Sequence, residues 1–127
     1  MSRWQASADI PATIHGPAVA RSFVAALLNA RGLQHLTYRA QLVVSELVTN
    51  AYQHAPGTDS FELEVTATDE SIRVSLADGS AVRPTIAALD QDAPRGRGMR
   101  IVQAAATGWG SDDHHGGKRV WAEIAIT

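Results

Sequence analysis

The chain has 127 residues, a formal net charge of −2 and no cysteine. This length is enough for a hydrophobic core, and we predict a single domain over residues 1–127. The small net charge gives no electrostatic basis for binding nucleic acid or an anionic membrane, and the lack of cysteine excludes disulfides and thiolate metal sites. The longest apolar run, residues 23–28, is too short to span a membrane, and no signal-peptide pattern opens the chain, so we expect a cytoplasmic protein.

The first part of the chain predicts one strand and two helices. Apolar and polar residues alternate over residues 4–8, which indicates a short strand. Pro17 suits the first turn of a helix, and Gly32 suits its end. Thr37 is the expected N-cap of a second helix that runs to about Ala55.

A hairpin and a long irregular segment come next. Alternation over residues 61–67 and again over 72–76, with a tight connection between them, indicates two antiparallel strands. Asp78 continues the inner parity of the second strand, so an acid is expected on the interior side of the sheet. Residues 79–95 show little periodicity, and loops of this length are often functional.

The last part predicts a helix and a closing hairpin. A helical pattern follows Gly96, and strands are expected near Trp109 and over residues 118–126. Two helices, a hairpin, a loop, a third helix and another hairpin favour an α+β two-layer sandwich. We therefore expect one mainly antiparallel sheet with the helices on one face.

The second helix carries a polar stripe. Glu46, Asn50 and His54 recur every four residues in an otherwise apolar pattern, and residues four apart share one helix face. A carboxylate and an amide oxygen suit a hard cation such as Mg²⁺, which takes few protein ligands. The alternative is that Asn50 bonds locally and Glu46 reaches solvent. For His54 we favour a structural role at the helix end.

Three further features could serve a nucleotide. Asp78 could accept a hydrogen bond from an exocyclic amine, or it could start a turn with Gly79. The glycines of residues 96–98 let the backbone approach an anion at a helix N-terminus, or they form an ordinary turn. Residues 79–95 could cover a ligand as a lid, or form a surface loop. In this order the parts would suit an adenine nucleotide with Mg²⁺.

These motifs resemble the histidine-kinase-like (GHKL) ATPase superfamily, which has the Bergerat ATP-binding fold. In particular, the chain resembles the stand-alone ATP-binding domains of bacterial anti-sigma regulatory factors, which are serine protein kinases. Residues 42–51 with 54–55 look like the N box of this family, residues 78–79 like the start of its G1 box, and residues 96–99 like its G2 box. Residues 117–121 look like its closing strand, so the resemblance covers nearly the whole chain.

The resemblance implies roles for individual residues. Asn50 would coordinate the Mg²⁺ that bridges the ATP phosphates, and Glu46 would act as general base on a serine hydroxyl or on water. Asp78 would accept the adenine amino group, while backbone amides from Gly96 onward would hold phosphates, and residues 79–95 would form the ATP lid. The implied nucleotide-binding residues are Asn50, Asp78, Gly79, Gly96, Arg97, Gly98, Met99 and Lys118.

The function implied by the resemblance is an ATP-binding, anti-sigma-type regulator with ATP and Mg²⁺ as cofactors. Such a protein would phosphorylate an antagonist protein on serine, sequester a sigma factor and form a homodimer. The alternative is a non-catalytic interaction module with a degenerate pocket, either gated by nucleotide or free of it. Slow ATP hydrolysis is a weaker alternative, because the chain lacks the transducer domain of the dimeric GHKL ATPases.

Two departures from the family pattern motivate the alternative. The G1 box usually continues Asp-x-Gly-x-Gly, whereas Ser80 and Val82 stand at the glycine positions here. The closing strand often carries Thr near the adenine-binding Asp, and we expect Arg119 at that position. There it would pair with Asp78 or crowd the adenine pocket.

Overall fold

A computed structural model describes residues 3–54, 59–78, 96–114 and 117–127, with the backbone alone at positions 54, 78, 96–99 and 114. The predicted lid, residues 79–95, and Gly79 within it lie outside the described residues. In chain order the elements are β1 (Trp4–Pro11), α1 (Gly16–Ala30), a short 3₁₀ turn (Gln34–Leu36), α2 (Thr37–His54), β2 (Ser60–Ala67), β3 (Ser71–Asp78), α3 (Gly96–Ala105), β4 (Gly108–His114) and β5 (Gly117–Ala125).

The strands form one antiparallel sheet in the order β1-β2-β3-β5-β4. Alternate residues of β2 and β5 are buried, because one face of the sheet packs against the helices while the other faces solvent. This arrangement confirms the predicted α+β two-layer sandwich with helices on one face. Across the described ranges, no helix is both long enough and apolar enough to cross a membrane.

Helix α2 occupies the centre of the helical layer and packs against both α1 and α3 as well as the sheet. Its sheet-facing side chains are almost fully buried, and apolar burial of this kind is the main stabilising contribution to such a fold. The buried apolar residues of α2 are Ala40, Val43, Val44, Leu47, Val48 and Ala51.

The start of α2 differs from the sequence prediction. Thr37 has helical backbone angles (φ −56°, ψ −46°), and the 3₁₀ turn runs directly into the helix. An N-cap residue has non-helical angles, so the prediction of Thr37 as N-cap is wrong. Leu36 in the 3₁₀ turn is fully buried, and its packing fixes the entry of the chain into α2.

Gly16 lets three elements meet at the start of α1. A Cβ atom added there would lie 2.5 Å from the carbonyl oxygen of Pro11 and 3.0 Å from Cγ1 of Val48. Pro17 follows in the first helical turn, as predicted, and Gly32 has a φ of +73° just after the helix. The contact through Gly16 fixes α2 relative to the end of β1.

We predict that Gly16→Ala lowers the free energy of unfolding by about 1–3 kcal/mol, because backbone must shift to admit the new methyl group. Urea denaturation would measure the change. The control is Gly108→Ala, since the nearest atom to an added Cβ there is 4.0 Å away. Equal stability of the two variants would contradict the close packing of α1 against β1.

Candidate functional site

The predicted site residues lie at one end of the sheet. β3 ends at Asp78, and the antiparallel register places this position opposite Lys118, near the start of β5. α2 also ends near this end of the sheet, because the next element, β2, begins there with Ser60 paired to Pro11 at the end of β1. α3 begins at the same end, because its C-terminus leads into β4, whose first residue lies at the opposite end of the sheet. The fold therefore brings the N-box helix, the G1 strand, the G2 helix and the closing strand together.

The polar stripe of α2 faces away from α1. On the α1 side, Arg21 donates a hydrogen bond to Ser45 Oγ over 3.0 Å, and Gln41 donates to the Arg21 carbonyl oxygen over 3.3 Å. Glu46 and Asn50 lie on a different flank of the helix by their spacing. Helix α3 also packs against α2. The side chain of His54 lies outside the described residues, so its role stays a prediction.

Asn50 is the most unusual polar residue of α2. Its side chain is only 4% exposed, and within the described part of the chain its Oδ1 atom has no hydrogen-bond partner. A buried acceptor without a partner costs about 1–3 kcal/mol. Such an oxygen fits a hard cation, which would supply the missing interaction. In the described ranges, no group of three or more acidic, histidine or cysteine residues is placed to hold a metal ion.

Glu46 lies one helical turn before Asn50 and is half-buried. Burial raises the pKa of its carboxyl above the ordinary value, because desolvation disfavours the charged form. A carboxylate with a raised pKa is a better proton acceptor than an exposed one. Position and proton affinity both fit the predicted role of general base.

Lys118 is the third notable polar group, and its side chain is only 1% exposed. It shares the inner face of β5 with Val120 and Ala122, which are buried core residues. The register places it between two acids, with Asp78 opposite on β3 and Asp113 opposite on β4. A buried ammonium needs compensating charge, and both neighbouring strands carry an acid at that position.

Arg119 occupies the opposite face of the sheet. It donates hydrogen bonds to Glu62 over 2.6 Å and to Ser75 Oγ over 2.8 Å, and it lies 3.9 Å from Glu64. Its register partner on β3 is Ala77, one residue before the predicted adenine-binding Asp78. The prediction that Arg119 stands beside Asp78 is therefore wrong. Alternation along β5 was the signal that identifies Lys118 as the residue at that position.

The G2 glycines form the first turn of α3, which begins at Gly96. The first backbone N–H groups of a helix have no partner within the helix and point toward any anion at its N-terminus. The backbone here thus fits the predicted phosphate cradle. The side chains of Arg97 and Met99 lie outside the described residues, and their roles stay predictions, as does that of Asp78.

Comparison with known proteins agrees with this geometry. The family model described as "Histidine kinase-like ATPase domain" matches residues 10–124. The chain belongs to this family, which confirms the resemblance and the Bergerat-type fold. An ATPase domain of this kind implies ATP as the nucleotide. No curated protein matches the chain.

The raised pKa of Glu46 predicts a pH-dependent stability difference. Because the folded state retains the Glu46 proton to higher pH than the unfolded state, ionisation of Glu46 lowers the free energy of unfolding as pH rises above about 4.5. We predict that Glu46→Gln stabilises the protein relative to the natural chain, and that this gain grows from pH 4 toward neutrality. Denaturant unfolding at a series of pH values would measure it.

The control for this experiment is Glu70→Gln, in the exposed turn between β2 and β3. Its effect on unfolding should not show the same growth with pH. A flat difference between Glu46→Gln and the natural protein across the range would contradict the desolvation of Glu46.

Proposed function

We propose that this protein is an ATP-binding regulator of the anti-sigma type, which phosphorylates an antagonist protein on serine and sequesters a sigma factor. The observation that carries the proposal is the pair on one flank of α2. Asn50 presents a buried oxygen without a described partner, and Glu46 presents a carboxyl with a raised pKa one turn away. A metal ligand and a general base are the two protein groups that this chemistry needs most.

Asn50 and the ATP phosphates would hold a Mg²⁺ ion. When bound, this ion neutralises the charge that develops on the phosphates. Asn50 contributes by offering its Oδ1 from a rigid, centrally packed helix, so that little ordering is needed on binding. An amide ligand from α2 agrees with the preference of Mg²⁺ for phosphate and water oxygens over dedicated protein cages.

Glu46 would accept the proton of the attacking serine hydroxyl. As the serine oxygen forms a bond to the γ-phosphorus of ATP, the bond between that phosphorus and the bridging oxygen breaks and ADP leaves. The proton held by Glu46 then passes to solvent. The half-buried position of Glu46 supports this role, because it combines access for a substrate hydroxyl with a raised proton affinity.

The other parts of the site would orient the nucleotide. The first turn of α3 offers backbone N–H groups to the phosphates, and the end of β3 brings Asp78 to the base. Lys118 is paired with Asp78 in the register of β3 and β5, and it lies on the inner face of the sheet. These residues lie on elements that pack in one core, and this packing fixes their positions relative to one another.

The proposal includes a protein partner. Large apolar side chains are exposed at Ile14, Tyr38 and Tyr52, and residues of this kind often contribute to protein contacts. We include a homodimer in the proposal, since symmetric dimers are the commonest soluble oligomers. The sigma factor and the antagonist protein would be its regulatory partners.

A second candidate is a non-catalytic module that binds its partner by contact alone. Ser80 and Val82 favour it, because they replace glycines that would let the backbone approach the nucleotide. The module and the kinase differ in two measurable properties, which are binding of Mg·ATP and transfer of phosphate.

We predict that Glu46→Gln lowers phosphoryl transfer by about 10²–10⁴-fold while leaving Mg·ATP binding intact, because only the proton acceptor is lost. Purified protein would be incubated with radiolabelled ATP and antagonist candidates recovered by co-purification from a native lysate. Glu70→Gln is the control and should transfer phosphate at the natural rate. Full activity of Glu46→Gln would exclude Glu46 as the base.

We predict that Mg·ATP raises the melting temperature of the natural protein and not that of Asn50→Ala. Ligand at about 100 times its Kd stabilises a native state by about 2.7 kcal/mol. Ser45→Ala is the control, since Ser45 lies on the α1 side of the same helix and should keep the shift. A shift without phosphoryl transfer would favour a nucleotide-gated module, and no shift in the natural protein would favour a nucleotide-free one.

A further inference from the structure

Strand β1 is an open edge of the sheet. It pairs with β2 on one side, and among the described residues no strand pairs with its other side. Proteins usually block an edge of this length with charges, a bulge or Pro, because its backbone groups attract further strands. The eight residues of β1 carry one charged side chain, Asp9, and the Pro stands at the last position, Pro11. The other edge strand, β4, carries two adjacent acids, Asp112 and Asp113.

The backbone of three β1 residues points away from β2. The Ala12 N–H donates to the carbonyl oxygen of Asp59 over 3.0 Å, in continuation of the β1–β2 register. Because the direction of the backbone groups alternates along an antiparallel strand, the even-numbered residues of β1 bond to β2. The N–H and C=O groups of Gln5, Ser7 and Asp9 therefore face outward. Such groups bond either to water or to a further strand.

Helix α1 presents an apolar flank above the same edge. It contacts β1, whereas α2 contacts β3 and β5, so α1 lies on the β1 side of the helical layer. Arg21 marks the side of α1 that faces α2. By helical spacing, the side away from α2 carries a row of apolar residues, which we call the α1 flank: Val19, Phe23, Ala26 and Ala30. Val19 is 40% exposed, and the row contains no charge to oppose close packing.

We propose, building on the homodimer included in the proposed function, that a second copy of this chain pairs with β1 across a two-fold axis at Ser7. Among symmetric antiparallel registers, the one centred on Ser7 pairs all three outward-facing residues with one another. It sets Gln5 of each copy opposite Asp9 of the other, whereas a register centred on Asp9 would oppose two carboxylates. The Nε2 atom of Gln5 donates one N–H to Glu64 over 2.6 Å and has a second N–H for that carboxylate.

This pairing joins the two five-stranded sheets into one and brings the two α1 flanks together on the helix side. The same patch of each copy meets itself, as a two-fold interface requires. Backbone hydrogen bonds and apolar burial would thus act at the same interface.

Single-cysteine crosslinking tests the register, because the chain has no cysteine of its own. Ser7→Cys places two thiols on directly opposite residues, whose Cα atoms lie about 5.5 Å apart in a hydrogen-bonded pair and within reach of a disulfide. Oxidised glutathione should convert most of this variant to a covalent dimer. Gln5→Cys and Asp9→Cys should each stay uncrosslinked alone, since like positions lie about 14 Å apart along the strands. The two should crosslink to each other when they are co-expressed.

Light scattering during size-exclusion chromatography measures the mass in solution, and circular dichroism checks that each variant is folded. Ser7→Pro removes an N–H that β2 does not use, so the protomer should fold while the dimer dissociation constant rises at least about tenfold. Ala26→Arg on the α1 flank should also weaken the dimer. Ala18→Arg is its matched control, since Ala18 is an exposed alanine of the same helix outside the flank, and it should stay dimeric.

The outcomes separate this interface from the proposed function. A monomeric natural protein, a dimer in which Ser7→Cys fails to crosslink, or a dimer that neither Ser7→Pro nor Ala26→Arg weakens overturns the pairing through β1. Mg·ATP binding and phosphoryl transfer are measured independently and would then still stand. A crosslinked dimer that neither binds Mg·ATP nor transfers phosphate overturns the proposed function and leaves this interface in place.

Discussion

The packing of α2 between α1 and α3 is the constraint on which the rest of the structure depends. The same 18-residue helix fills the centre of the core with one face and carries Glu46 and Asn50 on its flank. Its apolar face cannot rotate without exposing Val43, Leu47 and Val48 to water, and burial of each such side chain contributes about 1.5–3 kcal/mol. The position of the candidate metal ligand is therefore fixed by the hydrophobic core and not by the site itself. This coupling gives the site its rigidity before any ligand binds.

The polar groups of the site work against stability. The desolvated carboxyl of Glu46 and the buried oxygen of Asn50 each cost free energy that apolar residues in the same places would not. By contrast, the charged side chains on the solvent-exposed face of the sheet form ion pairs and hydrogen bonds. Arg119 bonds with Glu62 and Ser75, while Arg73 bonds with Glu123 and lies 4.2 Å from the centroid of the Trp121 ring. Among the described residues, this unfavourable polar burial lies on one flank of α2, which is typical of a ligand site.

Most of the fold could be predicted from the sequence because its signals are local. Alternation over β2 and β3 and the four-residue spacing on α2 each follow from one period of the chain. The start of α2 could not be predicted. Thr37 suggested an N-cap, whereas the 3₁₀ turn and the burial of Leu36 within it determine where the helix begins. The burial of Asn50 also required the packed structure, since spacing gives the face of a helix but not the depth of a side chain.

The error at Arg119 shows why strand parity matters more than motif alignment at the closing strand. Motif alignment predicts Arg119 beside Asp78, the predicted adenine-binding acid. The pleat of β5 instead places Lys118 opposite Asp78 and Arg119 on the solvent-exposed face. A basic residue at position 119 therefore leaves the pocket unchanged, and it is no argument for a degenerate site. Lys118 is the residue opposite Asp78, and its side chain is buried on the inner face of the sheet. The register of the sheet, and not motif alignment alone, therefore decides which departures from the family pattern lie next to Asp78.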